Sequence, residues 1–225
     1  MGLSSLLEGL VYGTRNRKEP LAVSALGNPL VNHFLPRYAP LVAEGCVWRA
    51  QETTATASVT ALPTTAGLFT LGNNEPDDGK WYVVLAVYAF NAANAAALDA
   101  FGLVGCLSQL RAVTGGIDVT MAQDLAKTTI KPMSGNVQGQ YNGKAILDTG
   151  VTITDDRWFP LASDSGSTAI NSGTGKTLFN WIDGLIVLSP KTLFSMVSTA
   201  TSASNTTTKG LIYAEVPREW LRANA

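Results

Sequence analysis

Along Gly210-Leu-Ile-Tyr-Ala-Glu-Val-Pro217 the residues alternate, with Ile212, Ala214 and Val216 on one side and Leu211, Tyr213 and Glu215 on the other. Period-two alternation bounded by turn residues predicts a strand buried on one side only. Two more strand-like runs precede it, residues 184–190 and 192–198. Together the three predict a C-terminal β-meander whose Ser/Thr-rich hairpin tip, residues 199–208, points to solvent. Residues 81–90 are apolar on both faces, the pattern of a central strand covered on both sides. Shorter runs at 46–52, 67–71, 101–110, 117–122, 137–141, 144–152 and 178–188 predict further strands. Asp78-Gly79 and Asn142-Gly143 carry the chemistry of tight turns with positive φ, and Asn142-Gly143 reads as a hairpin.

Other stretches break the alternation. Residues 91–100 are alanine-rich and predict a short helical turn or bulge, with one long helix over 92–110 as the competing reading. Asp155-Asp156-Arg-Trp-Phe-Pro160 reads as a corner, and the Ser/Gly/Thr stretch 162–177 as a long loop. Before residue 45 the pattern is different, because Pro20, Pro29, Pro36 and Pro40 each remove a backbone donor and hold the preceding residue extended. The expected organisation is all-β: an extended N-terminal arm over 1–45 and a jelly-roll-like β-sandwich over 46–225.

Composition narrows the function. Charged residues make up 15% of the 225 and apolar residues 46%, against a usual quarter charged. So few charges leave a lone subunit short of polar cover, so an oligomer is expected. A net charge of -1 gives no footprint for nucleic acid, and the longest apolar run falls short of the about 20 residues that span a bilayer. The N-terminus has neither a basic start nor an apolar core, so no secretory signal is expected. Cys46 and Cys106 form no C-x-x-C pair and read as small buried thiols in a reducing compartment, with a disulfide between them as the competing reading.

Catalytic motifs are weak. Ser172-Gly-Thr-Gly-Lys-Thr177 ends like a phosphate-binding loop, but Ile170 stands where the first glycine belongs, and an aromatic β-prone run follows. His33 is the single histidine and sits among prolines. Neither Asp77-Asp78 nor Asp155-Asp156 forms a facing pair, because neighbours on a strand point to opposite faces. No catalytic residue, cofactor or metal site is expected.

The order of features resembles a known group. The residues that carry it are the Gly-Asn-Asn-Glu-Pro-Asp-Asp-Gly-Lys turn into a strand ending Val87-Tyr-Ala-Phe-Asn91, the Trp158-Phe-Pro160 corner, and the closing Gly184-Leu-Ile-Val-Leu-Ser-Pro190 and Tyr213-Ala-Glu-Val-Pro217. This resembles accessory virion proteins of tailed bacteriophages, of the jelly-roll cement or decoration type. The resemblance implies a homotrimer on the capsid exterior, assembled in a bacterial cytoplasm, that bridges major capsid proteins. The arm is then the expected contact, through Arg15, Arg17, Lys18, Phe34, Arg37 and Tyr38. The alternative is a fibre or receptor-binding domain that meets host glycan through its Ser/Thr/Gly loops. A third reading, a carbohydrate-active enzyme, requires two carboxylates converging in a cleft.

Overall fold

The computed structural model describes residues 37–62, 68–93, 101–110, 121, 123–124, 126–134, 144–151, 153, 158–164, 177–201, 203 and 205–222. They form eleven strands: β1 (Val47–Glu52), β2 (Thr56–Ala57), β3 (Leu68–Asn73), β4 (Trp81–Ala93), β5 (Phe101–Gln109), β6 (Thr128–Pro132), β7 (Ala145–Val151), β8 (Phe159–Asp164), β9 (Thr177–Leu188), β10 (Thr192–Ala200) and β11 (Thr206–Val216). Short helices α1 (Ala39–Ala43) and α2 (Arg218–Arg222) flank them.

The strands build two antiparallel sheets, ordered β6-β1-β11-β4-β9, with β2 added on β11, and β7-β3-β10-β5-β8. Setting β2, β6 and β7 aside, the remaining eight strands pair first with last, second with seventh, third with sixth and fourth with fifth. That is the strand order of a jelly roll, a long antiparallel hairpin wound so that its strands alternate between two sheets. The extra strands β6 and β7 lie in the β5–β8 connection and extend both sheets along one edge.

Alternation explains the core. Trp48, Tyr82, Val84, Leu178 and Leu211 of one sheet meet Phe69, Leu103, Leu147, Phe194 and Met196 of the other. A second cluster covers the outer face of the five-stranded sheet, with Leu193 and Val197 under Val59, Met121 and Trp158. No helix among the described residues is long and apolar enough to cross a membrane.

Several expectations are corrected. The C-terminal strands are no meander: β9 and β11 belong to one sheet and β10 to the other. The tip between β10 and β11 is therefore a crossing between sheets. Thr201 and Ala203 are exposed, but Ser198, Asn205 and Thr207 are buried. Ser198 Oγ is 2.9 Å from Ser58 Oγ and 2.6 Å from Thr207 Oγ1, a hydroxyl chain in which short polar side chains satisfy one another. Strand β11 is covered on both faces, because Ala214 and Val216 pack beneath the helices.

Asp78-Gly79 makes no positive-φ hairpin; it lies in the crossing from β3 to β4, and the left-handed pair is Asp183-Gly184, at φ 53° and 84°. The long helix over 92–110 is replaced by β5. Phe159 and Pro160 begin β8 instead of forming a corner, and an edge strand tolerates the missing proline donor. β6 was not foreseen, since Thr128–Pro132 is short and carries Lys131 and Pro132. The predicted runs 117–122 and 137–141 and the hairpin at 142–143 lie outside the described residues, Met121 apart, which is in no strand.

Candidate interaction surface

The outer face of the six-stranded sheet has two ends. At the first, α1 and α2 cover Val47, Leu85, Ala214 and Val216, with Leu41, Val42 and Leu221 packed against them. Part of the expected arm is thus helical. Pro40 falls in the first turn, where its missing N–H costs nothing. Gly45, at φ 72°, ends the helix: its N–H donates to the Val42 carbonyl and that of Cys46 to the Leu41 carbonyl, the paired bonds of a Schellman cap.

The second end is built by a bulge in β9. Ile186 pairs with Val84 but Trp181 pairs with Ala86, so four residues of β9 face the single Leu85 of β4. The left-handed Asp183 and Gly184 absorb the surplus, and both residue types tolerate that backbone. The bulge pushes Leu185 out to 90% exposure and presents Asp183 to the chain entering α1.

Tyr38 and Arg37 meet it there. The Tyr38 hydroxyl donates to Asp183 Oδ1, and Arg37 Nη1 lies 2.9 Å from Asp183 Oδ2. The Tyr38 hydrogen bond, with Arg37 adding to it, holds the Asp183 carboxyl below the usual carboxylate range against the opposing effect of burial. From Tyr38 an aromatic row runs across the sheet. Tyr38 stacks on Trp181 at 5.9 Å, Trp181 meets Phe179 edge-on at 5.1 Å and 74°, and Phe179 stacks on Tyr88 at 6.4 Å. Tyr88 lies over Gly210, where an added Cβ would fall 2.3 Å from its ring, and its hydroxyl donates to Gln51 Oε1. Burial pushes the Tyr88 hydroxyl up to about 12. Trp181 is 55% exposed, Phe179 47% and Phe90 45%. Beside this row opens a shallow groove of about 720 Å³, lined by Tyr38, Ala39, Val42, Ala43 and Trp181 and by the charged Arg37 and Asp183.

Beneath the sheet, each end holds an ion pair. Lys209 Nζ lies 3.1 Å from Glu52 Oε2 with both side chains at most 2% exposed, and the same carboxylate oxygen accepts the Lys209 N–H. Burial pulls the lysine pKa down, and Glu52 opposes that. Under the helices, Lys80 Nζ lies 3.2 Å from Glu215 Oε2. Burial first, then nearby Glu75, pushes the Glu215 carboxyl up, against the pull of Lys80. Glu75 and Glu215 are both buried and neither lines the groove.

Of the six residues expected to meet a partner, Arg37 and Tyr38 line the groove, engaged with β9; Arg15, Arg17, Lys18 and Phe34 lie outside the described residues. His33, Asp155, Asp156 and the Gly-Thr-Gly-Lys stretch also lie outside them. Asp77 and Asp78 are exposed loop residues. Cys46 and Cys106 form no disulfide with each other; Cys106 is buried as expected, whereas Cys46 is only half-buried. Among the described residues no three metal-ligating side chains of His, Cys, Asp or Glu converge. Sequence reasoning missed Phe179, Trp181, Asp183 and Leu185. Their signal was present: large apolar residues at alternate positions beside an Asp-Gly pair in one predicted strand.

Neither a protein-family model nor a curated protein matches the chain.

Proposed function

We propose that the chain is a structural subunit of a virion, a cement or decoration protein that oligomerises on the capsid exterior and bridges major capsid proteins. One observation carries the reading. Phe90, Phe179, Trp181 and Leu185 stand exposed together on a chain with few charges to offset them. A contiguous apolar field of this kind marks an interaction surface. The jelly-roll strand order adds support, since viral capsid domains use it, although lectins do as well and fold alone does not decide function. The open groove holds no pair of convergent carboxylates, the feature a glycoside hydrolase needs.

Electron cryo-microscopy of particles carrying the chain tests this. Regular density over the outer shell, in many copies, is the expected result. A few copies confined to a tail or fibre would overturn it in favour of a receptor-binding role.

A further inference from the structure

We infer that the open end is a self-association face, where two copies meet about a two-fold axis and Leu185 of each enters the Tyr38–Trp181 groove of the other. The inference rests on the reading of the apolar field as an assembly surface and specifies its occupant.

A two-fold contact requires a self-complementary patch, in which residue i of one copy meets residue j of the other and the reverse. This patch carries both halves. Leu185 is a knob at 90% exposure, raised by the Asp183-Gly184 bulge, and the groove of about 720 Å³ begins two residues away at Asp183. Its charges are complementary too. Arg37 and Asp183 are one cation and one anion lining the groove, paired at 2.9 Å within each copy, so two copies facing each other bring no excess of like charge. Moreover, β9 is an edge strand with no further strand beside it among the described residues. Edges are commonly blunted by bulges or covered by a partner, and here the bulge itself presents the apolar knob.

Other occupants fit less well. A sugar ring stacks on a flat aromatic face, but Phe179 and Trp181 stand at 74° to each other and Tyr38 covers one face of Trp181. A three-fold ring needs knob and hole on different sides of the subunit, whereas here they share one side.

The test uses the full chain. Light scattering after size exclusion is expected to give a concentration-dependent dimer. Leu185→Asp, which removes the knob, and Ala43→Trp, which fills the hole, should each weaken the dimer roughly thirtyfold or more, with unchanged melting at dilutions where the parent is monomeric. A photo-crosslinker placed at Leu185, in a mixture of heavy- and normal-isotope copies, should join the 38–43 peptide of the other copy. A monomer at all concentrations, a trimer, a dimer indifferent to both variants, or crosslinks to residues 1–36 would each overturn the inference. Failure of the capsid reading shows separately, as a dimer that binds no shell.

Discussion

At the helix end of the six-stranded sheet Leu85, Ala214 and Val216 lie under α1 and α2, while elsewhere on the same face Phe90 of β4 and Phe179 and Trp181 of β9 stand open to solvent. Both stretches face outward and both are apolar. The helix end closes because Pro40 and Gly45 start and stop a single turn at the right place, and α2 follows β11 directly. Past the β9 bulge, which lies opposite Leu85, no helix of the described residues packs on Phe90 or Phe179, and the bulge itself leaves Leu185 exposed. The interior repeats the contrast. The pair under the open face, Glu52–Lys209, is sealed, whereas Lys80 at the helix end remains half-exposed. An apolar outer face thus reports that something covers it; whether the cover is the chain's own helix or another molecule depends on a few backbone details.

The largest effect tests the sealed pair. Lys209→Met leaves the Glu52 carboxylate buried without its counter-charge, which should cost roughly 3–5 kcal/mol in urea unfolding. The double change with Glu52→Gln should recover part of that loss. A single variant within about 1 kcal/mol of the parent would show that solvent reaches this end of the core.

The next test makes one substitution on both ends of the face. Leu85→Ala removes a side chain packed under the helices and should cost about 2–3 kcal/mol. Leu185→Ala should change the unfolding free energy of the isolated subunit by no more than about 0.5 kcal/mol. Equal costs in dilute monomer would erase the distinction between a covered and an open face.

How much of this could be read from the chain follows the same line. Strand-like runs between turn residues located β1, β3, β5, β7 and β9 to β11, and a run apolar on both faces located β4. Neither pattern gave sheet membership. Ser/Thr-rich residues 199–208 look like a solvent-exposed tip, yet Thr207 is buried because β10 and β11 cross between sheets and β2 covers the crossing. Asp78-Gly79 and Asp183-Gly184 are the same dipeptide, but only the second takes positive φ, since the first spans a wide crossing and the second must absorb surplus residues against β4. Arg37 and Tyr38 were expected to meet another molecule; within the chain they engage Asp183 and Trp181, which lie far along the sequence, and no local pattern links them.

The smallest effect sets the two ends against each other by pH. Burial raises the Glu215 carboxyl, so the folded chain binds that proton more tightly than the unfolded chain does. Its contribution is present in acid and is lost as pH rises from the ordinary carboxylate range through the raised value. Asp183 has the opposite sign: with its pKa lowered by the Tyr38 hydroxyl and Arg37, its contribution is present above the ordinary range and is lost as pH falls through the lowered value. Melting temperatures between about pH 3 and pH 8 separate them. Glu215→Gln should raise the melting temperature near neutrality and leave it unchanged in acid, because the substitution removes a charge that burial penalises while Lys80 keeps access to water. Asp183→Asn should lower it slightly near neutrality and lose its effect in acid. The same direction of change for both variants near neutrality would mean that the covered end and the open end do not differ in how they hold a carboxylate.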